Sequence, residues 1–312
     1  MPRGKMTTMT LAALRRLPSP RDALSGAAVL GAHLFARRGP LAGRGYVSDE
    51  TPVIVCGMHR SGTAIVTRLL ERAGLYVGGT WLDGNHESVH FLRANQAMLG
   101  EGHYLLHDFG WTAPKTDDFI CARRGYAERA ARDSEAFFAD RGSETTWGWK
   151  DPRNSLTLAI WLSIYPHARV IHVIRDGRAV ALSLADRDGL DPSFGLALWA
   201  TYIARLSLAL EEFAKTPQLT VRYEDLLETP ESVLAEMFDF AGLDSAVDPA
   251  TLAAALEDGH TAARVSDVRF GQIGLHPLLA AYGYCSIDEA FAGWRPTLAA
   301  GARRGSHASA RR

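Results

Sequence analysis

Seven residues, Gly57-Met-His-Arg-Ser-Gly-Thr63, combine what an anion-binding turn needs. The glycines let the backbone turn sharply. A helix beginning at the second one points unpaired N–H groups and its dipole at one spot. The spacing is that of a nucleoside triphosphate loop in all but one place: the lysine expected after the second glycine is absent, and Arg60 stands two residues before Gly62 instead. No aspartate closes a following apolar strand to hold magnesium, so γ-phosphate transfer by a small-molecule kinase is the weaker alternative. A bare strand-to-helix turn accounts for the glycines but not for Arg60, Ser61 and Thr63 together.

A second cluster lies at Ile174-Arg-Asp-Gly-Arg178, with Ser183 eight residues beyond Arg175. If a helix starts near Gly177, Ser183 falls on its second turn, and Arg175 and the hydroxyl can converge on one phosphate. The bland alternative is a surface arginine paired with Asp176 and a solvent-facing serine, and taken alone this stretch favours it. Two further stretches carry chemistry: Trp149-Lys-Asp-Pro-Arg153, and Asn85-His-Glu-Ser-Val-His-Phe91. His103 and His107 have no metal-ligand spacing.

In their order, Gly57-Met-His-Arg-Ser-Gly-Thr63, Trp149-Lys-Asp-Pro-Arg153, Arg175-Asp-Gly-Arg178 with Ser183, and Arg222-Tyr-Glu-Asp225 resemble the motifs of sulfotransferases that use 3'-phosphoadenosine 5'-phosphosulfate (PAPS). The resemblance runs from about Pro52 to Leu243. It implies that Arg60, Ser61, Gly62, Thr63 and the adjoining Ala64 hold the 5'-phosphosulfate, Ala64 standing where relatives often carry a hydroxyl. It implies further that Arg175 and Ser183 hold the 3'-phosphate, with Tyr223 near the adenine. Lys150 resembles the family lysine that stabilises or protonates the leaving oxygen, assisted by Arg60. The acceptor hydroxyl needs a base, and relatives use a glutamate or a histidine near this point, so Glu87 comes first, with His90 and then His86 as alternatives. Arg264 and Ser266 are guesses for a C-terminal part of the 3'-phosphate site. The reaction so implied moves a sulfuryl group to a hydroxyl of a carbohydrate or hydroxylated small molecule. It requires no metal and no covalent enzyme intermediate.

These residues need a scaffold that brings them to one edge. Pro52–Cys56, Arg169–Ile174 and Gln218–Arg222 are apolar, β-branched runs that read as buried strands. They alternate with helical patterns at Thr63–Ala73, Leu156–Tyr165 and Phe194–Lys215. That alternation predicts an α/β fold, a parallel sheet with helices on both faces, and right-handed crossovers that line up the strand ends. The resemblance makes it the P-loop-like sulfotransferase architecture. Trp199 and Tyr202 read as core. Gly78–Trp149, irregular apart from a helix at Tyr126–Phe138, reads as acceptor-side structure. Ser232–Ala241 and Pro249–Leu256 read as helices.

The chain has 312 residues, 47% hydrophobic and 22% charged, which excludes a disordered or collagen-like protein. Its net charge of -1 argues against a nucleic-acid partner. The expected organisation is a basic helical extension over 1–50, a catalytic domain over 51–300 and a disordered basic tail over 301–312. Ala23–Ala36 is shorter than the ~20 residues of a membrane span. The extension either packs on its own domain, the more common arrangement, or makes a weak peripheral contact with a membrane through Arg15, Arg16, Arg37 and Arg38. Cys56, Cys121 and Cys285 have no disulfide or zinc spacing, so a cytoplasmic location is expected. A non-enzymatic scaffold that binds a partner through its basic ends is a third alternative. Nothing in the sequence marks an oligomeric state.

Overall fold

Strand β1, Val53–Cys56, is β-branched and fully buried, as a strand covered on both faces must be. The computed structural model describes residues 45–79, 81–82, 86–100, 117–134, 146–244, 248–257, 277–286 and 288–289. The extension expected over 1–50, apart from 45–50, and the tail over 301–312 lie outside them. The chain divides into a larger unit, Arg38–Ile273, and a smaller one made of Met1–Arg37 and Gly274–Arg312. Within the smaller unit the described residues form one short helix, Pro277–Ala281.

In the larger unit β1 leads through a glycine loop into helix α1, Thr63–Arg72, whose C-cap is Ala73 and which gives way to Gly74 at φ 107°. A short antiparallel pair follows, β2 Trp81–Leu82 with β3 Glu87–Ser88. Then come α2, Val89–Leu99, and the smaller helices α3, Asp117–Cys121, and α4, Arg124–Arg132. Strand β4, Gly148–Lys150, opens a regular succession: α5 Asn154–Ile164, β5 Arg169–Ile174, α6 Gly177–Asp188, α7 Pro192–Glu212 and β6 Gln218–Arg222. Helices α8 Tyr223–Glu228, α9 Pro230–Ala241 and α10 Pro249–Glu257 complete it.

The four main strands are parallel in the order β4-β1-β5-β6. The chain leaves β1 for β4 on one side and then crosses to β5 on the other. The C-terminal end of β1 is therefore a switch point, where α/β sheets open a crevice for ligands. Alternation along β1 divides the core. Ile54 and Cys56 join Phe91, Trp149, Trp161 and Leu206 on one face, whereas Val53 and Val55 join Val66, Leu70, Leu234 and Met237 on the other. On the first face Phe91 stacks on Trp149 with ring centroids 4.0 Å apart, and Trp161 meets Trp149 edge-on at 5.1 Å.

Three expected strands are present, and β4 is added to them. Its three residues, Gly-Trp-Lys, carry no β-branched signal. They become a strand because Val53 and Ile54 sit beside them and because a parallel bridge from Tyr76 to Trp147 extends the edge. The Gly78–Trp149 stretch is less irregular than expected, since α2 fills part of it with Phe91, Leu92, Met98 and Leu99 buried at helical spacing. Helix α4 begins two residues earlier than the helix predicted over Tyr126–Phe138, and residues 135–138 are not among those described. Helix α7 starts at Pro192, where Asp191 caps the N–H groups of Ser193 and Phe194. It is long and apolar enough to cross a membrane, but Trp199, Tyr202, Ile203 and Leu206 pack inside the protein.

Two stability tests follow from the packing. A methyl group on Gly148 would run into the Val53 carbonyl, whereas one on Gly125 would come no closer than 3.9 Å to the Arg129 guanidinium. Gly148→Ala should cost about 1–3 kcal/mol, and Gly125→Ala should gain up to about 1 kcal/mol, both read from denaturant unfolding. The second concerns His172 on β5, 1% exposed, whose imidazole burial lowers from the usual 6.5 to about 4. The unfolded chain takes up that proton first. The resulting stability, roughly 3 kcal/mol, is complete above about pH 6.5 and is lost as pH falls towards 4. His172→Gln should flatten the stability profile over that interval.

Candidate functional site

The loop after β1 is shaped by what its glycines exclude. Gly57, at φ 147°, leaves no room for a Cβ against the Val173 carbonyl of β5, so the loop lies directly on the neighbouring strand. The Gly57 N–H donates to Ser155 Oγ at 3.1 Å, tying the loop to α5. Gly62, at φ 91°, caps α1, and any side chain there would strike the Tyr223 ring. Helix α1 has no side-chain cap and no acid in its first turn, so its N-terminal N–H groups and dipole face outward uncompensated. Ser61 is fully buried, and its hydroxyl has no protein partner among the described residues. Thr63 is buried as the first helical residue, and Ala64 is half-buried beside it.

Cations gather around this turn. Arg60, an exposed residue with φ 68°, donates from Nε to Ser183 Oγ at 2.9 Å. Arg175 donates to the Arg60 carbonyl at 3.1 Å and lies over the Tyr223 ring, 4.7 Å from its centroid. Asp176 does not pair with Arg175, as the bland reading would have it. It caps α6 and binds Arg178 through Nε at 3.0 Å and Nη2 at 2.6 Å. Arg187, one turn beyond Ser183 on α6, is paired with Asp188 at 2.6 Å; burial, then the charges of Arg187 and Arg175, lower the Arg60 guanidinium below its ordinary range, with Asp188 opposing them. The serine-to-arginine spacing of four was the available signal for Arg187, and sequence reasoning missed it.

Deeper in the crevice, Lys150 ends β4 and donates to Glu87 Oε1 at 3.0 Å, with both side chains more than nine-tenths buried. Arg153 Nη1 lies 3.6 Å from Glu87 Oε2 and 3.0 Å from Asp151 Oδ1. Lys150 is thus paired with Glu87 across the site, while Asp151 is taken by Arg153. Asn95 on α2, fully buried, donates from Nδ2 to Asp151 Oδ2 and to Asn154 Oδ1, each at 2.9 Å. Its Oδ1 accepts from Thr157 Oγ1 and Trp161 Nε1, each at 2.8 Å. Asn154 also accepts from Trp149 Nε1 and donates to the Val55 carbonyl.

The other base candidates point elsewhere. The His90 ring donates from Nε2 to the Ala130 carbonyl of α4 at 2.7 Å and packs edge-on against Phe91. His86, with φ 53°, pairs with Glu71 of α1 at 3.2 Å, and burial lowers its imidazole despite that carboxylate. Asn85, His103, His107, Arg264 and Ser266 lie outside the described residues. A histidine passed over in the sequence stands closer: His59, within the loop, sits 5.6 Å edge-on from Tyr202. Burial, and then the cations Arg153, Lys150, Arg187 and Arg60, hold it well below its ordinary value, so it is neutral at physiological pH. The rim and the deeper pair thus share one electrostatic environment.

A model described as that of the sulfotransferase family matches residues 52–248. Among solved structures, the chain is similar to the sulfotransferase domain from the Synechococcus PCC 7002 olefin synthase, with 20% identity over 73% of this chain and 84% of that one and a TM-score of 0.45. It is similar to sulfotransferase STF1 from Mycobacterium tuberculosis H37Rv, with 17% identity over 77% and 78% and a TM-score of 0.43. It is also similar to a sulfotransferase from Alicyclobacillus acidocaldarius, with 15% identity over 72% and 90% and a TM-score of 0.47. No curated protein matches.

The rim should bind a simple oxyanion. Inorganic phosphate at ten times its Kd should stabilise the protein by about 1.4 kcal/mol in thermal unfolding, and chloride at equal ionic strength should not. Arg187→Ala should weaken this by about tenfold, and Gly62→Ala should abolish it. Equal protection by both salts would show that the arginines act only through general screening.

Proposed function

The chain belongs to the sulfotransferase family, and from that premise we propose that it moves a sulfuryl group from PAPS to a hydroxyl of a carbohydrate or hydroxylated small molecule. The observation that carries this reading is the Arg60–Ser183 hydrogen bond of 2.9 Å, which joins the loop after β1 to the helix after β5. A donor with a 5'-phosphosulfate and a 3'-phosphate needs two neighbouring anion sites, and this contact between the two segments supports that reading. The buried Ser61 hydroxyl and the uncapped start of α1 suit a bound phosphosulfate. Arg175, Ser183 and Arg187 suit the 3'-phosphate, and Tyr223 lies under Arg175 and against Gly62.

The donor supplies an activated sulfur–oxygen bond, and the chain's residues manage charge and protons around it. As the acceptor oxygen bonds to sulfur, the bond from sulfur to the phosphate oxygen breaks and leaves its electron pair on that oxygen. Lys150 and Arg60 are the cations placed to meet this charge. Glu87 takes the hydroxyl proton; its carboxylate is ion-paired with Lys150 at 3.0 Å. His90 and His86 orient backbone and helix contacts instead. The acceptor lies on the side of β3 and α2, next to Glu87. The spacing of Cys56, Cys121 and Cys285, which fits neither a disulfide framework nor a zinc site, suits work in a reducing compartment such as the cytoplasm.

Incubation with PAPS and fractionated hydroxylated metabolites should produce a sulfuryl-sized mass gain. Lys150→Ala should lower kcat by about 100- to 1000-fold while weakening adenosine 3',5'-bisphosphate only about tenfold. That bisphosphate should raise the melting temperature of the wild type, and ATP with magnesium should not. The opposite ligand preference, with phosphate transfer from ATP, would make the protein a kinase.

A further inference from the structure

Lys150 faces a conflict. In the structure its ammonium is committed to the buried Glu87 carboxylate at 3.0 Å, yet the reading above needs it on the phosphate oxygen of the donor. A buried carboxylate left without a counter-ion is strongly destabilising, so Lys150 can leave only if Glu87 keeps another cation. Arg153 is that cation. Its Nη1 stands 3.6 Å from the second carboxylate oxygen, and its side chain is 6% exposed.

Arg153 does not lie there by chance of rotamer. Asp151 Oδ1 accepts from both the Arg153 backbone N–H at 2.9 Å and Nη1 at 3.0 Å, closing a short ring that aims the guanidinium. The other Asp151 oxygen is fixed by Asn95. The Asn95 amide has a single orientation: Trp161 Nε1 can only donate, so it must meet Oδ1, and an ionised Asp151 can only accept, so it must meet Nδ2. Glu87 lies two residues before α2, in β3, and Asn95 lies on α2, so this continuous segment is held at two points to β4 and the turn after it.

We propose that Arg153, aimed by Asp151 and Asn95, is a positioning residue that holds Glu87 when Lys150 changes partner from Glu87 to the phosphate of the donor. The inference rests on the roles proposed above for Lys150 and Glu87. No bond is made or broken in the exchange; one ion pair replaces another while Arg153 keeps the carboxylate compensated and in place to receive the acceptor proton.

The test is a binding experiment, independent of turnover. Isothermal calorimetry with adenosine 3',5'-bisphosphate is run on the wild type, Arg153→Gln, Arg153→Lys and the double variant Glu87→Gln/Arg153→Gln. Without Arg153, Glu87 retains Lys150, and Arg153→Gln should bind the bisphosphate about tenfold more weakly, as Lys150→Ala does. Arg153→Lys keeps a cation and should bind within about threefold of wild type. The double variant has no carboxylate to hold Lys150 and should regain wild-type affinity. A merely structural Arg153 would leave the double variant as weak as the single or weaker, which overturns the proposal. Wild-type affinity in Arg153→Gln overturns it equally, with the sulfotransferase reading intact. A wild type that binds no bisphosphate defeats the donor assignment and this inference together.

Discussion

A carboxylate closed in with two cations, away from water, sets the terms for this protein. Glu87, Lys150 and Arg153 are all more than nine-tenths buried. Charges taken out of water cost several kcal/mol each before any attraction is counted, and only well-placed partners offset that cost. The surrounding architecture can be understood as the means of placing them. Strand β4 exists at the edge of the sheet to deliver Lys150 level with Val55, β3 carries Glu87, and the turn from β4 into α5 supplies Asp151 and Arg153. The aromatic wall of Phe91, Trp149 and Trp161 excludes water from behind.

The rim obeys the opposite rule. There, Arg60, Arg175 and the start of α1 come together with Arg187, which Asp188 partly offsets, and burial followed by the neighbouring cations lowers both Arg60 and His59. Such a cluster is unfavourable by itself and becomes favourable only with an anion present. A satisfied buried ion pair and a cation-rich rim thus lie at the same end of the sheet, at the C-terminal ends of β4, β1 and β5. That juxtaposition suits the proposed transfer, in which the sulfur–oxygen bond of a phosphosulfate anhydride breaks and charge collects on the phosphate oxygen.

Much of this was legible before any fold was known, and the boundary is physical. β1 and β5 announce themselves because strands buried on both faces must be apolar and β-branched, β6 by its β-branched run although it forms the half-exposed edge rather than the buried strand expected, and the glycine loop because its backbone conformation excludes side chains. The helix expected near Gly177, which carries Ser183, is present, though Ser183 meets Arg60 there. Strand β4 could not be foreseen, because three residues owe their conformation to neighbours rather than to propensity. Nor could the roles of His86 and His90 be separated from that of Glu87, since all three lie within five residues and only tertiary contacts give them different partners. Asn95 looks like any polar residue in a helix; its importance comes from four hydrogen bonds to residues 56 to 66 positions away.

Those bonds also give the molecule an optical gauge. Trp161 donates its indole N–H to Asn95, and Trp149 donates to Asn154, so two buried fluorophores end in the same set of side chains that aims Arg153. Indole emission responds to the field at its nitrogen. A rearrangement around Glu87 therefore changes the light the native protein emits, and a stopped-flow fluorimeter can time the event without a label.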